Sequence, residues 1–437
     1  MVKEYNPIKK YPYSKNRLLV IDWSSLAYHQ LFAMNSKHSM DYLNINGPED
    51  ELYIWRTKMV SKMISYIKLF NPRDIVLTME GTNVWRNDVI KDYYNENAIV
   101  HYDNTGYYIR YDNFIKKVSK DAEGELEIDK LDITKDIDSL PEKFKKLSEL
   151  PERVSEIFWD HVLPKYKGTR ADSFWPFMVD KKVWKEYKET YLDEIKKIFR
   201  CHVIGQPDAE GDDVIYVATS KWKDNYDSII LITGDSDMNQ LLHQPNLKIY
   251  NHREDNFVNC ESPEDMLEIK VLSGDKSDNI QGMALPKKRN QLGEKGAIKL
   301  YESVGNCFAQ AEKEGWDKQY MRNKKLIDLT KIPTHIQREL CEQLDKSNPK
   351  LGDMNDLYKM NITDKMVDEI NKLKTFGYYA VNSLSSLASN PNMFNEKLFE
   401  NNEKEHKITT QRTFEGVNEV FEDKPSFDFL PDLSDLM

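Results

Sequence analysis

The chain has 437 residues, 40% hydrophobic and 31% charged, enough for two or three domains around a large core. No apolar run approaches the roughly 18 residues of a membrane span, and the N-terminal "MVKEYNPIKKYPYSK" lacks the apolar stretch of a secretory signal, so a cytoplasmic protein is expected. Four dispersed cysteines with no C-x-x-C pair, and nine histidines with no H-E-x-x-H, argue against structural zinc and a zinc hydrolase. The formal net charge of −11 opposes nucleic-acid binding only as an average. Residues 121–138 and 415–437 each carry a net −6, whereas "PKKRNQLGEKGAIK" (286–299) carries a local +4. Local sign decides which surface faces a phosphate, so nucleic acid stays open.

In chain order, "RLLVIDWSS" (17–25) predicts a buried strand ending at Asp22. An amphipathic helix over 51–70 leads to a second strand, "RDIVLTMEG" (73–81), ending at Glu80. "AIVHYDNTGYYIRY" (98–111) predicts a hairpin turning at Asp103–Gly106, followed by an acidic, partly helical stretch. "QPDAEGDDVIYVATSKW" (206–222) predicts a helix with Glu210, Asp212 and Asp213 in its first turn and Val214, Ile215, Val217 and Ala218 turned inward. "SIILITGDSDMNQLL" (228–242) is a third buried strand running into Asp235 and Asp237, then an apolar stretch with helical spacing. "LSGDKSDNIQGM" (272–283) is a polar loop carrying Asp275 and Asp278.

Each acidic group alone fits ordinary helix capping or a turn. Together they place nine carboxylates at strand ends, helix starts and one loop, and ligand sites in open α/β sheets lie at the carboxyl ends of strands. Such a set repels itself without cations. The absence of His and Cys from it points to hard, oxygen-preferring ions such as Mg²⁺ or Mn²⁺. Two such ions roughly 4 Å apart can activate a water and stabilise the leaving oxygen of a phosphodiester. The residues therefore predict a metal-dependent phosphodiesterase.

The ordered series "VIDWSS", "WR", "YKGTR", "AEGDD", "TGDSDMNQLL", "GDKSDNI" and "LGEKGAIKL" resembles the 5′-nuclease family of flap endonucleases and 5′–3′ exonucleases, nearest its phage-type members such as the RNase H of T-even bacteriophages. The resemblance covers about residues 17–300. It implies an α/β fold: a mostly parallel sheet flanked by helices (a PIN-like core), a helix–three-turn–helix that grips duplex backbone, and a helical C-terminal part. It implies two Mg²⁺ or Mn²⁺, one held or surrounded by Asp22, Glu210, Asp212, Asp213 and Asp235, the other served by Asp237, Asp275 and Asp278. Glu80 stands where the family usually has Asp. By the same resemblance Lys167 contacts the scissile phosphate with Arg170 nearby, Tyr166 stacks on a base, and Arg86 matches the family's arch arginine. In this chain about eighty residues separate Arg86 from Lys167. The stretch "GMALPKKRNQLGEKGAIKLYESVG" (282–305) matches the helix–three-turn–helix, with Lys287, Lys288, Arg289, Gly293, Lys295 and Gly296 facing phosphates and K⁺ a further candidate ion.

The expected parts are 1–86 and 163–280 as nuclease core, 87–162 as an insertion shaping or gating the arch, 281–400 as the helix–three-turn–helix and C-terminal helices, and 401–437 as a linker with an acidic tail. In that tail "SFDFL", with Phe427, Phe429 and Leu430, resembles the clamp-binding peptides of T-even-type replication proteins. The expected partners are RNA–DNA and DNA duplexes with 5′ ends or flaps, a sliding clamp first and a single-stranded-DNA-binding protein second, for a monomer in the host cytoplasm if phage-encoded. The alternatives are a PIN-like endoribonuclease and a catalytically inactive DNA-binding adaptor.

Overall fold

The computed structural model describes residues 16–34, 46–103, 106–112, 114–120, 126–130, 145–150, 152–168, 174–283, 291–349 and 364–375. Its centre is a six-stranded sheet of β1 (Arg17–Ile21), β2 (Asp74–Thr78), β8 (Cys201–Ile204), β9 (Ser228–Thr233), β10 (Leu247–Asn251) and β11 (Asn256–Phe257). Across the sheet the order is β11-β10-β9-β1-β2-β8. Every pairing is parallel except that of the short edge strand β11. The mostly parallel sheet flanked by helices is as the sequence predicts.

The short apolar runs alternate between two cores because successive strand side chains point to opposite faces. Leu18, Val20, Val76, Ile229 and Leu231 enter one core, which the helices Trp85–Asn97, Gly211–Trp222 and Thr334–Lys346 cover. Leu19, Ile21, Ile75, Leu77, Ile230 and Ile232 enter the other, under Trp23–Phe32, Pro48–Phe70 and Lys181–Ile198. A sheet covered on both faces can use β-branched and aliphatic residues at consecutive positions, which is why these strands read as unbroken apolar runs. A third, smaller core of Val271, Leu272, Met283, Leu292, Ala297 and Ala311 joins the helices Pro263–Ser273, Glu294–Ser303 and Cys307–Glu314. No helix among the described residues is long and apolar enough to cross a membrane.

From β1 the chain moves to β2 and β8 on one side, then returns to place β9 on the other. The reversal of strand order, where α/β sheets form ligand crevices, therefore lies between β1 and β9. Asp22 follows the first of these strands and Asp235 the second.

A second, antiparallel sheet has the order β6-β5-β4-β3-β7, from β3 (Ile99–Asp103), β4 (Gly106–Tyr111), β5 (Phe114–Lys120), β6 (Leu126–Lys130) and β7 (Lys145–Lys146). The predicted hairpin is present, with Asp103 paired to Gly106. The segments expected to be partly helical after it contain β5 and β6, because "FIKKVSK" and "LEIDK" fit the two-residue strand period better than a helical one. The expected boundary at residue 86 falls inside the helix Trp85–Asn97.

Val100, Ile109, Tyr111 and Val118 sink into the main core, and a buried ion pair fastens this sheet to the C-terminal helices. Asp112 receives Arg322 Nη1 at 3.2 Å and the hydroxyls of Tyr93 and Tyr94 at 3.0 and 2.8 Å, with both charged side chains at most 3% exposed. Asp112→Asn keeps the backbone tolerable at its positive φ of 45° but strands the guanidinium. We expect a loss of roughly 3–5 kcal/mol, the scale of a buried charge left without its partner, read by chemical denaturation. An unchanged midpoint would show that the pair does not hold the inserted sheet.

Candidate active site

Asp22 ends β1 and caps the helix Trp23–Phe32. Its Oδ1 accepts from the Ser25 amide at 3.0 Å and its Oδ2 from the Thr233 hydroxyl at 2.7 Å. Thr233 in turn accepts from the Asp235 amide at 3.0 Å, so the ends of the two adjacent strands are stitched together. Burial pushes the Asp22 carboxyl up to about 6, and the charges of Glu80 and Asp235 push the same way. Asp212, one residue into the helix Gly211–Trp222, lies well above the ordinary aspartate range through burial and the negative charges of Asp235, Asp22 and Glu210, which Lys167 opposes. Glu80 is exposed, with its carboxylate beside Gly211. Gly81 permits this: a Cβ there would strike the carbonyl oxygens of Gln206, Pro207 and Ala209.

Glu210 caps the same helix and is 2% exposed. Burial favours its neutral form, yet the carboxyl ends below its usual range because Lys167 and Arg86 bind it and Tyr166 donates to it. Arg86 Nη1 reaches Glu210 at 2.8 Å, the Tyr166 hydroxyl reaches it at 2.8 Å, and the Lys167 ammonium contacts its other oxygen. Lys167 adopts a left-handed backbone (φ 53°), and its amide donates to the Asp278 carbonyl at 2.9 Å. A non-glycine residue held there stores strain of roughly 1–3 kcal/mol, a pattern that clusters at functional positions.

The acidic loop starts at Gly274, whose φ of +74° ends the helix Pro263–Ser273 and opens the small hairpin of β12 (Gly274–Asp275) and β13 (Ile280–Gln281). Asp275 Oδ1 accepts from the amide and hydroxyl of Ser277 at 2.8 and 2.7 Å. Those bonds and Lys270 keep its carboxyl below the usual range although burial acts against them. Asp278 accepts from the Tyr166 hydroxyl at 3.0 Å. Asp237 contacts Lys270 but is still pushed up to about 6, since burial outweighs the lysine and Asp235 adds to it. Arg86, Tyr166, Asp212, Asp237, Asp275 and Asp278 line one small polar cleft together with Gln240 and Leu326.

Three expected site residues are largely buried. Asp213, expected at the first metal, is fully buried. Its oxygens are taken by both Arg86 amino groups at 2.8 and 3.1 Å, by Trp85 Nε1 at 3.0 Å and by the Glu210 amide at 3.0 Å. Arg86, expected to be catalytic, is 2% exposed and bonded to Glu210, Asp213 and the Leu326 carbonyl at the wall of the cleft. Tyr166, expected to stack on a base, is 8% exposed and directs its hydroxyl at Glu210 and Asp278. Gly293 caps the helix Glu294–Ser303 with Lys295 exposed in its first turn, and Gly296 sits against Leu292. Arg170, Lys287, Lys288, Arg289, Phe427, Phe429 and Leu430 lie outside the described residues.

The sequence reading missed Lys270, five positions before Asp275, and the histidine pair behind Asp22. A lysine in the last turn of a helix that leads into an acidic loop is the signal that could have found the first. His252 Nε2 meets the Ser25 hydroxyl at 2.9 Å and its Nδ1 meets His29 Nδ1 at 2.9 Å. Burial and nearby cations lower His29 to about 4; burial, His29 and nearby cations lower His252 to about 3. Depressed values make the neutral pair a source of stability that is present above about 6.5 and lost as pH falls through 4 to 3. The thermal midpoint should therefore drop over that window, and His29→Gln/His252→Gln should flatten the drop relative to wild type.

The donor set suits a hard divalent ion: it is all oxygen, and Asp22 and Asp212 are raised in part by unneutralised neighbours. Among the described residues, however, no three His, Cys, Asp or Glu side chains stand close enough to chelate an ion as arranged. Glu210, Asp237 and Asp275 are instead paired with Lys167 and Lys270.

No family model matches the chain. It is similar to the 5′-3′ exonuclease of Mycoplasmopsis pulmonis, 27% identical over 245 residues that make up 49% of this chain and 70% of that one. It is similar to the ribonuclease H of Enterobacteria phage T4, 26% identical over 167 residues, or 35% of this chain and 55% of the phage enzyme. The chain is a distant homologue of the 5′-nucleases. A solved structure of T5 5′-exonuclease with bound zinc aligns with 75% of this homologue and 98% of its own chain, at a TM-score of 0.44 and 14% identity. Homology to these curated relatives supports a general 5′-nuclease function.

Proposed function

We propose that the chain is a metal-dependent, structure-specific 5′ nuclease that hydrolyses phosphodiesters at the 5′ ends and flaps of RNA–DNA or DNA duplexes, removing primers in phage DNA replication. The observation that supports this reading is that Asp22 and Asp235 follow the two strands flanking the strand-order reversal and that Asp212 feels the negative charge of both. Bound Mg²⁺ or Mn²⁺ would supply an activated water and charge stabilisation at the phosphate. Asp22, Asp212 and Asp235, with Glu80 beside them, would hold one ion, and Asp237, Asp275 and Asp278 would serve the other.

The chain's own residues do the rest. Lys167, next to the carboxylates on a left-handed backbone, would bring an ammonium to the charge that develops on the scissile phosphate. Arg170 lies close to it in sequence and would assist. Glu210 orients Lys167, and Arg86 and Asp213 in turn lock Glu210. The N-terminus of the helix Glu294–Ser303, with Gly293, Lys295 and Gly296, would take duplex phosphates as a helix–three-turn–helix, with K⁺ as its ion. The antiparallel sheet of β3 to β7 would shape the substrate entrance. The acidic tail with Phe427, Phe429 and Leu430 would tether the enzyme to a sliding clamp, so deleting 420–437 should leave oligonucleotide hydrolysis intact and abolish clamp stimulation.

Digesting a labelled RNA–DNA hybrid, nicked duplex and 5′ flap in Mg²⁺ tests the substrate class. Removal of nucleotides from 5′ ends is expected, and cleavage only within single-stranded RNA would replace this reading with a PIN-like endoribonuclease. Changing Lys287, Lys288 and Arg289 to Ala should weaken duplex binding and reduce the slope of log K against log salt by about 0.9 for each phosphate no longer neutralised. An unchanged slope would place that basic run away from the duplex.

A further inference from the structure

The two halves of the acidic cluster are not equally open. Asp22, Asp212 and Asp235 form no ion pair among the described residues, and the two oxygens of the buried Asp22 accept only from the Ser25 amide and the Thr233 hydroxyl. Asp237 and Asp275 are already bridged. The ammonium of Lys270 contacts Asp237 Oδ1 and lies 2.7 Å from Asp275 Oδ2. These carboxylates come from separate elements, the 3₁₀ helix Ser236–His243 and strand β12, which both pack against the helix Pro263–Ser273 that carries Lys270.

The position between them is the one that an ion shared by both carboxylates must use. Lys270 is also well placed to hold it: it lies in the last turn of the helix Pro263–Ser273, where the helix dipole favours a cation. Its side chain is 24% exposed, and a flexible four-carbon stem gives the ammonium a route to solvent.

Resting on the two-metal reading above, we propose that Lys270 is a displaceable internal cation. It holds Asp237 and Asp275 together while the second divalent ion is absent, and it leaves when that ion binds. Loading is then sequential: the first ion enters an open group of carboxylates, and the second must expel an ammonium. The expelled ammonium is freed at the cleft, where the nearest new anion is a substrate phosphate, so substrate favours the second ion by giving Lys270 another partner. The lysine is a positioning residue, and its removal should change metal affinity before it changes chemistry.

Mn²⁺ binding to the whole chain, followed by calorimetry and electron paramagnetic resonance without nucleic acid, tests this without reading activity. Wild type should bind one ion tightly and a second weakly. Lys270→Met should tighten the second by about tenfold or more, the ordinary range of a coupling between sites, and leave the first nearly unchanged. The same variant should melt lower than wild type in EDTA and gain more from Mn²⁺, whereas Lys270→Arg should keep the second ion weak. An unaltered second affinity in folded Lys270→Met would overturn the proposal while leaving the two-metal reading intact; failure of wild type to bind any ion would overturn both. Should Lys270→Met not fold, reductive methylation of wild type decides. Lys270 should be protected in EDTA and become reactive with Mn²⁺, and reactivity unchanged at saturating Mn²⁺ would overturn the proposal.

Discussion

Asp22→Asn and Asp235→Asn should each slow single-turnover cleavage by about a thousandfold or more while leaving duplex binding intact or slightly tighter. The size follows from removing charge that acts on the developing transition state in a water-poor site. The direction for binding follows from weaker repulsion between the cleft and phosphate. Asp22 is the more informative substitution, because its two oxygens are held by the Ser25 amide and the Thr233 hydroxyl and an amide can keep only part of that geometry. Asp235 is exposed, so its exchange perturbs the fold least. Quench-flow rates paired with anisotropy in EDTA would separate the two effects. Near-normal turnover by both variants would remove these carboxylates from the chemistry.

Lys167→Ala should lower kcat and kcat/KM together by on the order of 10²–10³, as expected for a group that acts mainly in the transition state. Its loss leaves Glu210 with Arg86 and the Tyr166 hydroxyl, so the buried carboxylate stays paired and the fold should survive. Lys167→Arg should restore part of the rate, since charge returns with different geometry. A rise in KM at constant kcat would instead make Lys167 a docking group.

Much of the core was legible because burial leaves a local imprint. The runs at 18–21, 75–77 and 229–232 are consecutive apolar residues followed within three positions by a carboxylate, and the structure joins β1 to both of the others. Strands β8 and β10 carried weaker signals: Cys201–Ile204 has a histidine within four residues, and Leu247–Asn251 has a lysine within five. The inserted sheet was half legible, since its hairpin has a Gly-containing turn whereas β5 and β6 are rich in lysine and acid. In the cleft, residue types were readable but their partners were not. Asp212 and Asp213 are neighbours in sequence, yet one faces like charges and the other is locked by Arg86 from 127 positions away. Nothing local distinguishes them. Lys270 escaped for the same reason, because a bridge between two remote carboxylates is a property of the fold.

The central claim is that this acidic cleft cleaves phosphodiesters with divalent ions, and product release from a 5′-labelled flap or RNA–DNA hybrid during Mg²⁺ titration tests it most directly. No product is expected in EDTA, cleavage at the 5′ end should recover on adding Mg²⁺, and Asp235→Asn should show no recovery. Equal cleavage in EDTA and in Mg²⁺, or full recovery in Asp235→Asn, would contradict it.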